Sequence, residues 1–257
     1  MKRLIKVTML SLTTIFLISW VQPPVTLFLV GDSTMADKPL EGNPERGWGM
    51  VLPSYFNNQV VIENHARNGR SSRTFIEEGR WDFVLDRVKS GDFVVIQFGH
   101  NDEGQEKKAY TPPDAYQKKL IKMVNDVRAK NATPILCTPV ARCKFDSLTH
   151  QLIDTHPIYG DLVRKVAADQ HVLLVDMQRR SEDVLRAFGP GKAEKLFMNI
   201  PPKVWPAVPQ GRKDNTHFVE AGGLAMAKCF VDGIKELNLQ PLKSDLLSEN
   251  KVTVKLT

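Results

Sequence analysis

The run Val25-Thr26-Leu27-Phe28-Leu29-Val30, followed at once by Gly31-Asp32-Ser33-Thr34, decides how the chain is read. Six residues with almost no polar interruption, stopped by a glycine, describe a strand buried on both faces. A strand with one wet face would alternate instead. Four further runs share this character: Val60–Glu63, Phe93–Phe98, Thr133–Thr138 and Val172–Val175. Helical patterns lie between and after them. Following Pro112 and Pro113, Asp114 is placed to cap a helix carrying Tyr116, Leu120, Met123, Val124 and Val127 on one face. A second helix is expected from Ile158 to Asp169. A third is expected from Val219 to Leu237, with Leu224, Ala227, Val231 and Ile234 turned inward. Strand and helix in alternation predict an α/β fold, a three-layer sandwich with a doubly wound parallel sheet of flavodoxin-like strand order.

Working outward from this core, residues 1–22 read as a secretory signal. Lys2, Arg3 and Lys6 precede the fourteen-residue apolar stretch Val7–Trp20. That stretch is short of the ~20 apolar residues a membrane span needs. No cysteine near the start offers a lipid attachment point, so a secreted or periplasmic protein without a stable membrane span is expected. The three bases also supply half of the formal charge of +6, leaving +3 for the remainder. Nucleic-acid binding therefore does not follow from the charge. Cys137, Cys143 and Cys229 are too few, and odd in number, for a disulfide framework. Residues 23–240 read as one domain, with Phe188 to Arg212, rich in proline, as a long ordered loop. Residues 241–257 form a polar tail in which Val252, Val254 and Leu256 alternate like an edge strand.

In sheets of this kind ligands bind beyond the carboxyl ends of the strands. Polar segments follow three of the strands: Gly31-Asp32-Ser33-Thr34, Asn68-Gly69-Arg70-Ser71 and Gly99-His100-Asn101-Asp102. A fourth, Asp214-Asn215-Thr216-His217, stands just before the last helix. Ser33 at a sharp turn is a candidate nucleophile, or a capping hydroxyl. Gly69 and the Asn101 amide are candidate donors to an oxyanion, or ordinary turn residues. Asp214 and His217, three residues apart, suit a base and its orienting carboxylate, or a helix start with an exposed histidine. No cofactor is called for, and the pairs His100/Asp102 and His217/Asp214 match no standard zinc spacing.

These segments stand in the order of the four blocks of the SGNH (GDSL-like) hydrolases. The stretches GDSTMAD, Gly47-Trp48-Gly49, NGRSSRTF and QFGHND resemble those of the rhamnogalacturonan acetylesterases, over roughly Val25 to Leu237. The resemblance implies the SGNH hydrolase fold, with Ser33 as nucleophile, His217 as base and Asp214 as its partner. It places the oxyanion between the N–H groups of Ser33 and Gly69 and the Asn101 side chain. Thr34 departs from the leucine of the GDSL motif, as it does in the acetylesterase-like members. The substrate implied is an acetylated polysaccharide, an anionic pectin such as rhamnogalacturonan ahead of a neutral xylan. Independently, Arg67, Arg70 and Arg73 bracket Gly69, and Arg212 precedes Asp214. Arginine forks suit carboxylates, so Arg70 and Arg212 are candidate substrate contacts, alongside Trp205 as a sugar-stacking platform. Solvated arginines paired with nearby acids such as Glu78 are the alternative. A non-catalytic flavin or carbohydrate binder on the same scaffold would leave Asp214 and His217 without a role.

Overall fold

The computed structural model describes residues 24–248. The signal expected at residues 1–22 and the alternation at Val252, Val254 and Leu256 lie outside them. Five strands form one sheet: β1 (Val25–Gly31), β2 (Val60–Asn64), β3 (Phe93–Gln97), β4 (Thr133–Cys137) and β5 (Leu173–Val175). All four pairings are parallel, and the order is β2-β1-β3-β4-β5. This is the flavodoxin-like order, with its switch point where β1 and β3 lie side by side while their connections leave toward opposite faces.

The helices are α1 (Trp48–Val51), α2 (Ser72–Glu77), α3 (Arg80–Leu85), α4 (Pro113–Ala129), α5 (Pro157–Asp169), α6 (Met177–Phe188), α7 (Pro190–Ala193) and α8 (Glu220–Glu236). Successive residues of β1 feed different layers, as the two-residue period of a strand requires. Leu27 and Leu29 join one buried cluster with Trp48, Met177, Leu185, Met226, Phe230 and Ile234. Phe28 and Val30 join another, with Phe75, Trp81, Tyr116, Leu120, Met123 and Val163. Helices α1, α6 and α8 therefore cover one face, and α3, α4 and α5 the other.

Several local expectations need correction. Asp114 sits inside the first turn of α4 rather than capping it, because Pro112 occupies the cap and Pro113 starts the helix. Asp114 still lies where a carboxylate meets the positive end of the helix dipole. Helix α6 has few apolar residues, and only Met177 and Leu185 among them are fully buried. Its charged surface hides it from a reading based on apolar runs. The proline-rich stretch after Phe188 contains α7 and a 3-10 turn at Glu194–Leu196. In the tail, Leu242 is buried and Leu246 bridges to Phe56, so residues 241–248 pack on the body.

One close approach fixes the mouth of the sheet. The Trp48 N–H donates to the Thr34 carbonyl at 2.9 Å. A Cβ on Gly47 would stand 2.2 Å from the Ala36 carbonyl oxygen and 2.6 Å from the Met35 carbonyl carbon. Both neighbours are backbone and cannot swing aside. Gly47→Ala should therefore displace the 33–36 turn, costing about 1–3 kcal/mol in denaturant unfolding and reducing activity along with it. Unchanged stability and activity would show that this approach is not needed.

Candidate active site

The turn after β1 is built on the Asp32 carboxylate. Asp32 Oδ1 accepts from the Thr34 N–H at 2.9 Å and from the Thr34 hydroxyl at 2.8 Å. The Asp32 carbonyl accepts from the N–H groups of Met35 and Ala36. The Thr34 hydroxyl in turn accepts from Gln97 Nε2 at 2.9 Å, and Gln97 Oε1 accepts from Trp48 Nε1 at 2.8 Å. Threonine thus serves where leucine could not, because this buried site needs a side chain that both donates and accepts. Trp48 and Trp81 are fully buried, with Trp81 Nε1 donating to Asp126. Neither is a platform for a sugar. Ser33 is half-buried at the tip of the turn.

The second turn follows β2. Gly69 has φ +75°, and a Cβ there would meet nothing within 4 Å. The glycine is needed for its left-handed backbone rather than for space. Helix α2 then starts with a capping box between Ser71 and Thr74. The third turn is tied to this one twice. Asn101 Nδ2 donates to the Arg70 carbonyl at 3.0 Å, leaving its second N–H available. Asp102 Oδ1 accepts from the Ser72 N–H at 2.9 Å and the Ser72 hydroxyl at 2.6 Å. Among the described residues, neither the Ser33 N–H nor the Gly69 N–H has a protein acceptor.

The fourth segment forms an Asx turn. Asp214 Oδ1 accepts from the N–H groups of Thr216 at 2.8 Å and His217 at 3.0 Å. Its Oδ2 lies 2.8 Å from His217 Nδ1, and His217 Nε2 lies 2.8 Å from Ser33 Oγ. With the proton on Nδ1, the imidazole donates to Asp214 and accepts from Ser33. Burial works against the Asp214 charge, but hydrogen bonds from the His217 ring and backbone outweigh it and hold the carboxyl well below its usual range. The turn is buttressed from behind. Arg142 Nη1 donates to the Thr216 hydroxyl at 2.8 Å and Nη2 to Glu103 at 2.7 Å. Glu103 also meets His156 Nδ1 at 2.8 Å. The His156 ring stacks on buried His100 with centroids 4.4 Å apart. Burial pushes the His100 ring well down in basicity, so it stays neutral at physiological pH.

The four segments therefore come together at one edge of the sheet, with Ser33, His217 and Asp214 in a single hydrogen-bonded line. The expected substrate residues divide. Arg212 directs its fork at protein carboxylates: Nη1 donates to Glu45 at 2.6 Å and Nη2 to Asp214, so two carboxylates already meet its charge. Arg70 is paired with Glu78 at 3.0 Å in a half-exposed contact. Trp205 is 38% exposed beside exposed Val204, on a loop held by an Ala207 N–H bond to the Gly42 carbonyl. Arg67 is exposed. Residues that the sequence did not single out include Lys38, Glu45, Gln97 and Arg142. Each is an isolated polar position whose partner lies far along the chain.

The fold, the family match and the named relatives together make this a carboxylic ester hydrolase. Residues 29–200 match the model of the GDSL-like lipase/acylhydrolase family, and the chain belongs to that family. It is 36% identical over 225 residues to the Bacillus subtilis rhamnogalacturonan acetylesterase RhgT, covering 88% of this chain and 95% of that one. It is 34% identical to the probable rhamnogalacturonan acetylesterase YesY of the same organism, covering 87% and 98%. Among solved structures, Bacillus subtilis YxiM superposes with a TM-score of 0.74 at 26% identity, over 84% of this chain and 58% of that one. The Geobacillus stearothermophilus acetylxylan esterase Axe2, at 18% identity and a TM-score of 0.59, shares the fold over 83% and 95%. Among the described residues no helix is long and apolar enough to cross a membrane.

The Asp102 tie carries a pH signature. Burial pushes its carboxyl from 3.8 up to about 7, against the lowering by its Ser72 bonds. The folded chain holds this proton more tightly than the unfolded one. The stability contributed by this group is therefore full below 3.8 and is lost as the pH rises through about 7. Thermal unfolding should accordingly show a fall in Tm between about pH 4 and 7 that is flattened in Asp102→Asn. Parallel profiles for the two proteins would rule this out.

Proposed function

We propose that the protein is an exported serine esterase that removes acetyl groups from a pectic polysaccharide, with rhamnogalacturonan as the preferred backbone. The observation that carries the chemistry is the line Ser33–His217–Asp214, with both links at 2.8 Å. Ser33 Oγ attacks the acetyl carbonyl carbon while its proton passes to His217 Nε2. The carbonyl oxygen becomes an oxyanion, stabilised by the N–H groups of Ser33 and Gly69 and the free N–H of Asn101. Losing one such donor typically costs about 10²–10³ in turnover. As the carbonyl re-forms, the C–O bond to the sugar breaks and the sugar oxygen takes the proton from His217. Water then attacks the acetyl-serine with His217 again as base, releasing acetate and restoring Ser33. Asp214 keeps the imidazole in the tautomer that can accept, and stabilises the imidazolium.

The substrate reading rests on the names of RhgT and YesY, which span nearly the same length as this chain. Exposed Arg67, beside the Gly69 turn, and Trp205 add a charge for uronate carboxylates and a flat face for a sugar ring. Export fits the cationic start and short apolar stretch of residues 1–22.

Ser33→Ala should abolish release of acetate while the fold survives, since the hydroxyl contributes little packing. His217→Ala should be almost as damaging, and the double variant hardly worse than either, because the two residues act as one unit. Losses that multiply in the double variant would mean separate roles. On polymer, acetate release from acetylated rhamnogalacturonan should exceed that from acetylated xylan. Its kcat/KM should fall as salt is raised through about 0.1 M, where screening shortens to about 10 Å. Hydrolysis of p-nitrophenyl acetate should stay flat, and Arg67→Ala should affect the polymer only. Preference for xylan with no salt effect would overturn the pectin assignment while leaving the serine chemistry intact.

A further inference from the structure

Three side chains outside the hydrogen-bonded line connect its Asp214 end to the turn that carries Gly69. Lys38 Nζ donates to Asn68 Oδ1 at 2.6 Å and meets Glu45 Oε1 at 2.7 Å. Glu45 Oε2 accepts from Arg212 Nη1 at 2.6 Å, and Arg212 Nη2 donates to Asp214 Oδ2. Asn68 immediately precedes Gly69. One end of the series therefore holds the turn carrying a proposed oxyanion donor, and the other holds the carboxylate that orients His217. The signs alternate along it: Lys38 positive, Glu45 negative, Arg212 positive, Asp214 negative.

The series is shielded. The Lys38 side chain is 2% exposed, those of Glu45 and Asp214 are 12% and 14% exposed, and Arg212, at 30%, is the member nearest to water. Ion pairs this far from water are screened little and hold their geometry. The segment bearing Glu45 is anchored beside the base as well. Glu45 bridges to Val219, and the Arg46 N–H donates to the Phe218 carbonyl at 2.9 Å. Burial works against the Glu45 charge, but the bonds and charges of Lys38 and Arg212 hold its carboxyl below the usual range. Each of its oxygens serves a different cation, so it joins two parts of the chain that have no covalent reason to keep a fixed separation.

We infer that Lys38, Glu45 and Arg212 form an ionic strut that fixes the distance between the Gly69 oxyanion donor and the His217 base, acting as positioning residues for the ester hydrolysis. The inference rests on the assignment of Ser33, His217 and Asp214 given above. It replaces a substrate-binding role for Arg212 with a role behind the site. Binding of a small ester depends little on the strut, whereas the transition state needs both ends in register, so the strut acts on kcat. Arg212 has a second effect, because its Nη2 lies 2.9 Å from His217 Nδ1. A cation there disfavours the imidazolium. The charged and titratable groups that face His217 are Asp214 and Arg212 on its own turn, with Glu45, Asp32 and His100 from the segments packed against it. Arg142 reaches the same turn through Thr216.

The test uses the full chain and p-nitrophenyl acetate, with thermal melts and near-ultraviolet circular dichroism on each variant. Glu45→Gln, which keeps shape but removes the shared charge, should lower kcat by about 10- to 100-fold with KM nearly unchanged. Lys38→Met combined with Glu45→Gln should be no worse than Glu45→Gln alone, since the strut is already broken. Arg212→Gln should move the acid limb of the kcat/KM profile upward by about one pH unit, and Arg212→Lys should return it toward wild type. A merely structural ion pair would lower activity equally at all pH values and leave the limb in place. Should Glu45→Gln fail to fold, the Arg212 pair of variants decides by the limb alone. The strut is overturned by a kcat within twofold of wild type in folded Glu45→Gln, by losses that multiply in the double variant, or by an unmoved limb in Arg212→Gln. If Ser33→Ala keeps its activity, the underlying catalytic assignment has failed instead, and that result is separate from any of these.

Discussion

The Thr34 hydroxyl sits between two strand ends, giving its proton to Asp32 and taking one from Gln97, which itself is held by Trp48. Through this buried chain the end of β1, the end of β3 and the helix covering one face are locked into a single arrangement. The surroundings exclude water, so each of these polar groups depends on the others for its hydrogen bonds, and displacing one leaves another unsatisfied. The turn that presents Ser33 is thereby fixed by the buried Asp32 carboxyl and its uncharged partners, apart from the ion pairs of the site. The short contact between Gly47 and the backbone of Met35 and Ala36 belongs to the same lock.

Around this centre the ion pairs are arranged in two buttresses. On one side Lys38, Glu45 and Arg212 reach Asp214, and on the other Arg142, Glu103 and His156 reach Thr216. The turn carrying His217 lies outside the five-stranded sheet and is framed by short backbone bridges from Arg212 to Ile200, Phe218 to Phe197 and Val219 to Glu45. Ion pairs from both flanks add to these bridges. The neutral, buried His100 stacked against His156 lets the second buttress pack closely without adding another charge near the imidazole. This arrangement explains why a basic residue so close to the site can face inward rather than toward substrate.

Most of the architecture was legible because parallel strands write themselves as nearly unbroken apolar runs, and all five lie within a residue or two of those runs. The edge strands β2 and β5 are nevertheless only partly buried, and Val61 is exposed. Helices α4, α5 and α8 showed their apolar faces plainly. Helix α6 did not, since its buried side is narrow and includes Gln178, Ser181 and Glu182. The four polar segments were legible because each follows a strand or precedes a helix at the edge where ligands bind. What the sequence hid was the direction of long side chains. Arg212 is adjacent to Asp214 in either reading, and only the position of Glu45, 167 residues away, decides that its fork turns inward. Lys38 and Gln97 were silent for the same reason: a lone polar residue has no period, and its meaning lies wholly in a distant partner.

Among the described residues the last strand ends at Val175, yet Ser33 meets His217, 184 residues along the chain from the serine. All five of these strands are therefore synthesised before the proposed base. Contacts of such long sequence separation close late, because the loop entropy must be met before the contact forms. Secondary structure and catalytic competence are thus acquired at different stages of chain growth. A polypeptide interrupted after β5 would lack the proposed base and also helices α6 and α8, which cover one face of the sheet.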